Sequence, residues 1–184
     1  MAKIKGFGLR GLLKFAKEKG VAPGDIVRKL PEAIRPIFAE PIMHGDFYPY
    51  EAFGALLEVV DAELGKGDGA FVREFGQFAA RQDVGGIFRI VSFITSPETA
   101  VKRAGVFWSR YCDTGKLVTE EARAGAFRVA MENFPGIHPL HCRLLEGWIV
   151  GLGEVWGVKE IRSEQIECVH RGGTRCVFAG GWRS

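Results

Sequence analysis

Residues 159 to 182 read KEIRSEQIECVHRGGTRCVFAGGW, and this stretch decides the fold. It predicts two strands, about Lys159 to His170 and Thr174 to Gly180, meeting at Gly172 and Gly173. Cys168 and Cys176 are placed evenly about Gly172, so a hairpin loop centred there sets the two cysteines opposite one another with their side chains on one face. Just upstream, a helix from Leu140 to Trp156 has Pro139 near its start, His138 as a cap and Gly157 after its end. Cys142 lies early in that helix, which can deliver a third sulfur to the same face.

Further back the period is again 2. Phe127, Val129 and Met131 alternate with Arg128, Ala130 and Glu132 as in a half-buried strand, and Lys116 to Glu120 makes its partner through a connection at Glu121 to Gly125. Before Gly115 the spacing is helical. Leu9, Leu12, Leu13 and Ala16 mark an opening helix closed by Gly20, and Pro23 to Leu30 and Pro31 to Ala39 read as short helices. Tyr50 to Leu64 carries the stripe Phe53, Leu56, Leu57, Val60 and Leu64. Phe71, Phe75 and Phe78 share a face between Asp68 and Asp83, and Ile87 to Ile94 is apolar enough to be buried. Ser96 and Pro97 then open a helix whose Val101, Ala104, Trp108 and Tyr111 share a face. The expected fold class is α/β (α+β): one domain, 1–184, in which residues 1–114 are mainly helical and pack on an antiparallel sheet module, residues 115–184, that has a helix inserted between two hairpins.

Composition narrows the function classes. The 25 basic and 22 acidic residues leave a charge of +3 and form no runs, so no nucleic-acid groove is expected. No segment approaches the roughly 18 unbroken apolar residues of a membrane span. The basic start is interrupted by Gly6, Gly8, Arg10 and Gly11 and does not read as an export signal. A cytoplasmic location is therefore expected, with the cysteines as thiols, metal ligands or core residues. There is no Gly-x-Ser-x-Gly elbow, phosphate loop, dinucleotide fingerprint or His-Glu-x-x-His pair, and an enzyme is not expected. Cys142, Cys168 and Cys176 leave two readings open. With a nitrogen or oxygen donor such as His170 or His141 they make a common zinc set. Otherwise they pack as small buried hydrophobes.

From His141 to Trp182 the chain resembles the four-vinyl-reductase, or hydrocarbon-binding, domain superfamily, itself distantly compared with haem nitric-oxide-binding domains. The matching residues are Cys142, Gly147 and Gly151, Cys168, Gly172, Cys176 and Phe178. Tyr48-Pro49-Tyr50, the segment Tyr111 to Gly115, and Trp182 extend the resemblance to a bacterial branch of about this length. The resemblance implies a sensor domain, a helix that packs on its own sheet or pairs in a dimer, and in some members a zinc held by three cysteines and a Glu. Here Gln165 stands at that Glu. It also raises haem, but the family-type Tyr-x-Ser-x-Arg string is missing, His44 falls in a linker and His138 reads as a cap, so haem is not expected and zinc is the cofactor left open.

These readings combine into a small-molecule sensor or regulatory module for a hydrophobic or aromatic ligand. Its pocket is expected between the helical layer and the strand Phe127 to Met131, with Phe88, Phe107, Trp108, Tyr111, Phe127, Met131 and Trp148 as ligand contacts. Its expected partners are a small hydrophobic molecule, a second copy in a homodimer and a signalling protein. The alternatives are a structural or scaffolding homodimer without ligand, and a zinc-binding protein with an unrecognised catalytic activity.

Overall fold

The computed structural model describes residues 1–83 and 96–183. The expected buried segment Ile87 to Ile94, with Phe88, lies outside them. Strand β1 (Lys3–Lys5) runs into helix α1 (Gly6–Glu18), which buries Leu9, Leu12, Phe15 and Ala16 at helical spacing. Helix α2 (Pro23–Lys29) follows, with proline in its first turn. The helix expected over 31–39 shrinks to a 3-10 turn, Arg35–Phe38, because Pro36 offers no amide and Arg35 Nε donates to the carbonyl of Leu30. Strand β2 (Phe47–Pro49) pairs antiparallel with β1, Ile4 opposite Tyr48.

Helix α3 (Tyr50–Leu64) buries its apolar stripe, and α4 (Ala70–Asp83) sets Phe71, Phe75 and Phe78 around Phe15 at ring separations of 5.0, 5.6 and 5.0 Å. Ser96 caps α5 (Pro97–Lys102), its Oγ accepting from the amide of Thr99 at 3.3 Å. The stripe read as one helix from Val101 to Tyr111 is divided. The Thr119 hydroxyl donates to the Val101 carbonyl at 2.5 Å, the helical run is interrupted at Arg103, and α6 (Ala104–Trp108) starts after it.

The main sheet contains β3 (Lys116–Arg123), β4 (Ala126–Glu132), β5 (Lys159–Glu167) and β6 (Cys176–Arg183) in the order β3-β4-β6-β5, all antiparallel. The first hairpin is tighter than expected: Arg123 pairs with Ala126 across Ala124 and Gly125, and a bulge between Thr119 and Glu121 absorbs the difference in register. In the second hairpin β5 stops short of His170. Another bulge falls between Gln165 and Glu167, and the Glu167 carboxylate accepts from the amides of Thr174 and Arg175, which pulls 169–171 into a 3-10 turn ending at Gly172. Cys168 consequently sits just beyond the strand and not directly opposite Cys176.

Helix α7 (Pro139–Val155) lies between the two hairpins in sequence and packs on both β5 and α4. Its crossing with α4 depends on three glycines. A Cβ at Gly147 would stand 1.8 Å from the Arg73 carbonyl oxygen, and one at Gly76 2.1 Å from that of Leu144; Gly151 meets Gln77 in the same way. The helix packs on its sheet as expected, but the glycine pair itself serves a helix-on-helix contact with α4 inside the chain, which removes the reason for expecting a dimer there. Among the described residues no helix is long and apolar enough to cross a membrane.

Candidate functional site

A cavity of about 1000 Å³ lies between the N-terminal helices and the α6 and α7 side of the molecule. Its depth is built from rings: Phe53 of α3, Phe75 of α4, Phe107 and Trp108 of α6, and Trp148 of α7. Phe107 and Trp148 meet edge to face at 5.9 Å, and Trp108 spends its indole N–H on the carbonyl of Thr114 at 2.9 Å, leaving an apolar wall. The exposed residues at its edge are of another kind. Arg10, Lys14, His44, Gln82 and Arg110 ring the opening, with the half-buried Lys5 beside them.

His141, in the first turn of α7, is the one buried nitrogen base in this wall among the described residues. It is surrounded by Tyr50, Phe53 and Trp108, at ring distances of 5.6, 5.3 and 5.4 Å. Burial in these rings, helped by the neighbouring His138, pushes its pKa down to about 3, so the imidazole is neutral. Burial raises the Tyr50 phenol well above its ordinary value, so it keeps its proton. The Tyr50 oxygen lies 2.7 Å from His141 Nδ1 and accepts the His138 amide at 3.0 Å. With Nδ1 occupied, Nε2 is the ring nitrogen left for an occupant. His138 holds the helix start as expected, its Nδ1 accepting from the Leu140 amide at 3.3 Å while Nε2 meets Glu58 at 3.0 Å.

Of the ligand contacts expected from sequence, Phe107, Trp108, Tyr111 and Trp148 fall on this wall. Phe127 does not. It lines a separate apolar void of about 60 Å³ with Trp156 and Trp182, and Met131 is buried where β4 pairs with Cys176. The cavity therefore opens toward α1 and α4, with Leu117 of β3 as the sheet's contribution, and not toward Phe127 to Met131. His141 and Phe53 were not among the expected contacts. The signal available was that His141 sits one residue from the interior Cys142 in a helix buried on more than one side.

Cys142, Cys168 and Cys176 converge, their sulfurs all within 4.8 Å of one another in a buried group. Cys142 Sγ donates to Cys176 Sγ at 3.6 Å. That hydrogen bond, with the amide of Val169, brings the Cys176 thiol down to about 6, while the same bond and burial push the Cys142 thiol up. No fourth metal donor joins the group among the described residues. His170 Nε2 is engaged by the carbonyl of Ile137 at 2.7 Å, His141 turns to Tyr50, and Gln165 brings a neutral amide. Cys112, the fourth cysteine, is buried elsewhere, beside Ile4.

No family model and no curated protein matches the sequence. Solved structures do match. A variant H-NOX (haem nitric-oxide/oxygen-binding) protein from S. oneidensis in the Fe(II) ligation state superposes with a TM-score of 0.77 at 13% identity, over 98% of this chain and 96% of that one. An unliganded Fe(II) H-NOX protein mutant from K. algicida gives 0.74 at 14%, over 98% and 97%. An oxygen-binding H-NOX domain related to soluble guanylate cyclases, in its oxygen complex, gives 0.65 at 14%, over 98% and 95%.

These neighbours overturn the expectation against haem, and they lend the zinc reading no support. That expectation followed motif strings and gave each histidine a role by its place in the sequence, which cannot show that His141 faces a cavity. The distant comparison with haem nitric-oxide-binding domains, secondary in the sequence, is the one the backbone follows: the chain has the H-NOX fold.

Proposed function

We propose that this chain is a small-molecule sensor module that holds a hydrophobic, ring-bearing ligand in the cavity beside His141, with haem the first candidate. The observation that carries the proposal is the cavity itself, about 1000 Å³ of mostly aromatic wall with one buried imidazole. Binding sites are apolar clefts of this scale with few polar anchors, whereas a fold held only by packing fills such a space with side chains. The H-NOX neighbours, described in Fe(II) and oxygen-bound states, support haem as the occupant.

The residues present fit that group. The volume and ring-lined wall suit a flat macrocycle, and His141 is neutral, as a metal-ligating imidazole has to be. His141 Nε2 would be the nitrogen available to hold the iron, with Nδ1–H donating to Tyr50, the support that ligating histidines usually receive from a neighbour. Haem bound there would supply an iron position for a diatomic gas. The chain's own contribution is to exclude water with Phe53, Phe75 and Trp108 and to hold the imidazole through Tyr50. The signal would leave the module through altered contacts with a signalling protein.

Absorbance titration of the purified chain with haem tests this reading, beside thermal shift against a panel of small aromatic molecules. The expected result is saturable one-to-one uptake, with a spectrum that changes in His141→Gln while the variant still takes up the metal-free ring. Failure of haem and of every aromatic probe to bind or to raise the melting temperature would remove the proposal.

A further inference from the structure

The edge of the cavity carries information about the ligand that its depth does not. Lys5, Arg10, Lys14 and Arg110 contribute to its lining, and no carboxylate does among the described residues. The cations come from two stretches of the chain that the fold joins: the Lys5 amide donates to the Tyr111 carbonyl at 2.8 Å, which brings Arg110 to the start of α1. Arg10 and Lys14 follow on the next turns of that helix. The polar neighbours of these two α1 cations are largely uncharged. Arg10 donates to the Ile42 carbonyl at 3.3 Å and Lys14 to the Gln82 side-chain oxygen at 2.9 Å. Among the described residues the carboxylate paired with Lys14 is that of Glu18, which stands 3.9 Å away on a solvent-exposed face and neutralises little. The Lys14 ammonium also lies 5.7 Å from the centroid of Phe78, itself a piece of the apolar wall. A greasy chamber thus ends in an edge whose charged lining residues, among the described residues, all carry the same sign.

We propose that the ligand is an amphipathic anion, with an apolar or ring-bearing body in the chamber and a carboxylate held at the mouth by Lys5, Arg10, Lys14 and Arg110. This rests on the cavity being a binding site, and adds to it the class and orientation of the occupant. Separate elements converge on one opening with one sign of charge, the arrangement that draws an anion in and fixes which end remains outside. Two sources share this chemistry: the propionates of a tetrapyrrole and the head of an acyl chain.

The test measures quenching of the wall tryptophans, Trp108 and Trp148, with two matched pairs: protoporphyrin IX and its dimethyl ester, and dodecanoate and dodecanol. In at least one pair the acid is expected to bind about tenfold more tightly than its neutral partner at low salt, an advantage that several exposed charge contacts can supply. The pair that shows it identifies the source. The advantage should shrink at high salt and vanish or reverse in the double variant Arg10→Glu, Lys14→Glu, and independently in Arg110→Glu, with melting temperatures confirming that each is folded. Equal binding of acid and neutral partner in both pairs would overturn the anionic head while leaving the cavity reading intact. Binding of none of the four probes would overturn both.

Discussion

Two consecutive residues of α7 face opposite kinds of interior. His141 looks into the cavity, where rings stand around an open volume of about 1000 Å³ and the imidazole is held by a hydrogen bond to Tyr50. Cys142 looks the other way, toward Cys168 and Cys176, where three sulfurs fill the space between helix and sheet within 4.8 Å of one another. A side chain beside open space keeps its place through directed bonds, and one in a dense cluster through contact on all sides. The first arrangement leaves room for an occupant. The second makes α7 a fixed wall for that occupant to meet.

The largest expected effect is an acid-sensitive stability that belongs to the cavity side. His141 has its pKa lowered from 6.5 to about 3 by burial, so folding favours the neutral ring. The contribution is complete above pH 6.5 and is lost as the pH falls from there toward 3. At about 1.4 kcal/mol per decade the whole window is worth roughly 5 kcal/mol. Denaturant unfolding at about pH 7 and about pH 4 should show wild type losing roughly 3 kcal/mol more than His141→Gln, whose side-chain amide can still hydrogen-bond Tyr50. Cys176, with its thiol brought down to about 6, adds an acid loss of its own, but to both proteins alike, so the difference isolates His141. Parallel curves for the two proteins would show that His141 is not the source of the acid sensitivity.

The sulfur side should respond to truncation and not to acid alone. Cys176→Ala removes the acceptor of the Cys142 bond and leaves a small void, for a loss of about 1–3 kcal/mol in denaturant unfolding at neutral pH. Haem or aromatic uptake should be unaffected, because the cavity lies across α7. A variant of normal stability that no longer takes up ligand would show that the two sides are coupled.

How far each side could be read in advance follows from the range of the signals. The sheet module was legible because Gly172 and the alternation of Phe127, Val129 and Met131 are local, and α3 because its stripe repeats within one helix. The sulfur convergence was legible through the same hairpin, although the bulge near Gln165 moves Cys168 off the strand. The break at Arg103 was not, since the Thr119 hydroxyl that takes the Val101 carbonyl comes from a strand 18 residues away. The α4 partner of Gly147 and Gly151 is more remote still. The cavity was half legible: its rings Phe107, Trp108 and Trp148 were, but its opening toward α1 was not, because a void is defined by what several distant elements leave between them. The role of His141 went with it.

The smallest effect concerns a residue that the comparison marks as free to grow. Gly11 sits inside α1 on the cavity lining, and a Cβ there would lie 3.7 and 3.8 Å from ring carbons of Phe75, an ordinary van der Waals distance. Gly147, on α7, has no such room, its added carbon falling 1.8 Å from a backbone oxygen of α4. For Gly11→Ala nothing has to move, and the helix gains what alanine gives over glycine in an interior position, about 0.5–1 kcal/mol, because less backbone freedom is lost on folding. The new methyl group also makes van der Waals contact with the Phe75 ring, so the two contributions have the same sign. The melting temperature of Gly11→Ala should therefore rise by a few degrees in the ligand-free protein. In the presence of a saturating ligand the gain should be smaller, since the occupant then covers the same ring and the methyl competes for its space. A Gly11→Ala variant that is less stable than wild type without ligand would mean that α1 and α4 close on each other at this point, and that the volume in which the ligand is placed is smaller than the geometry shows.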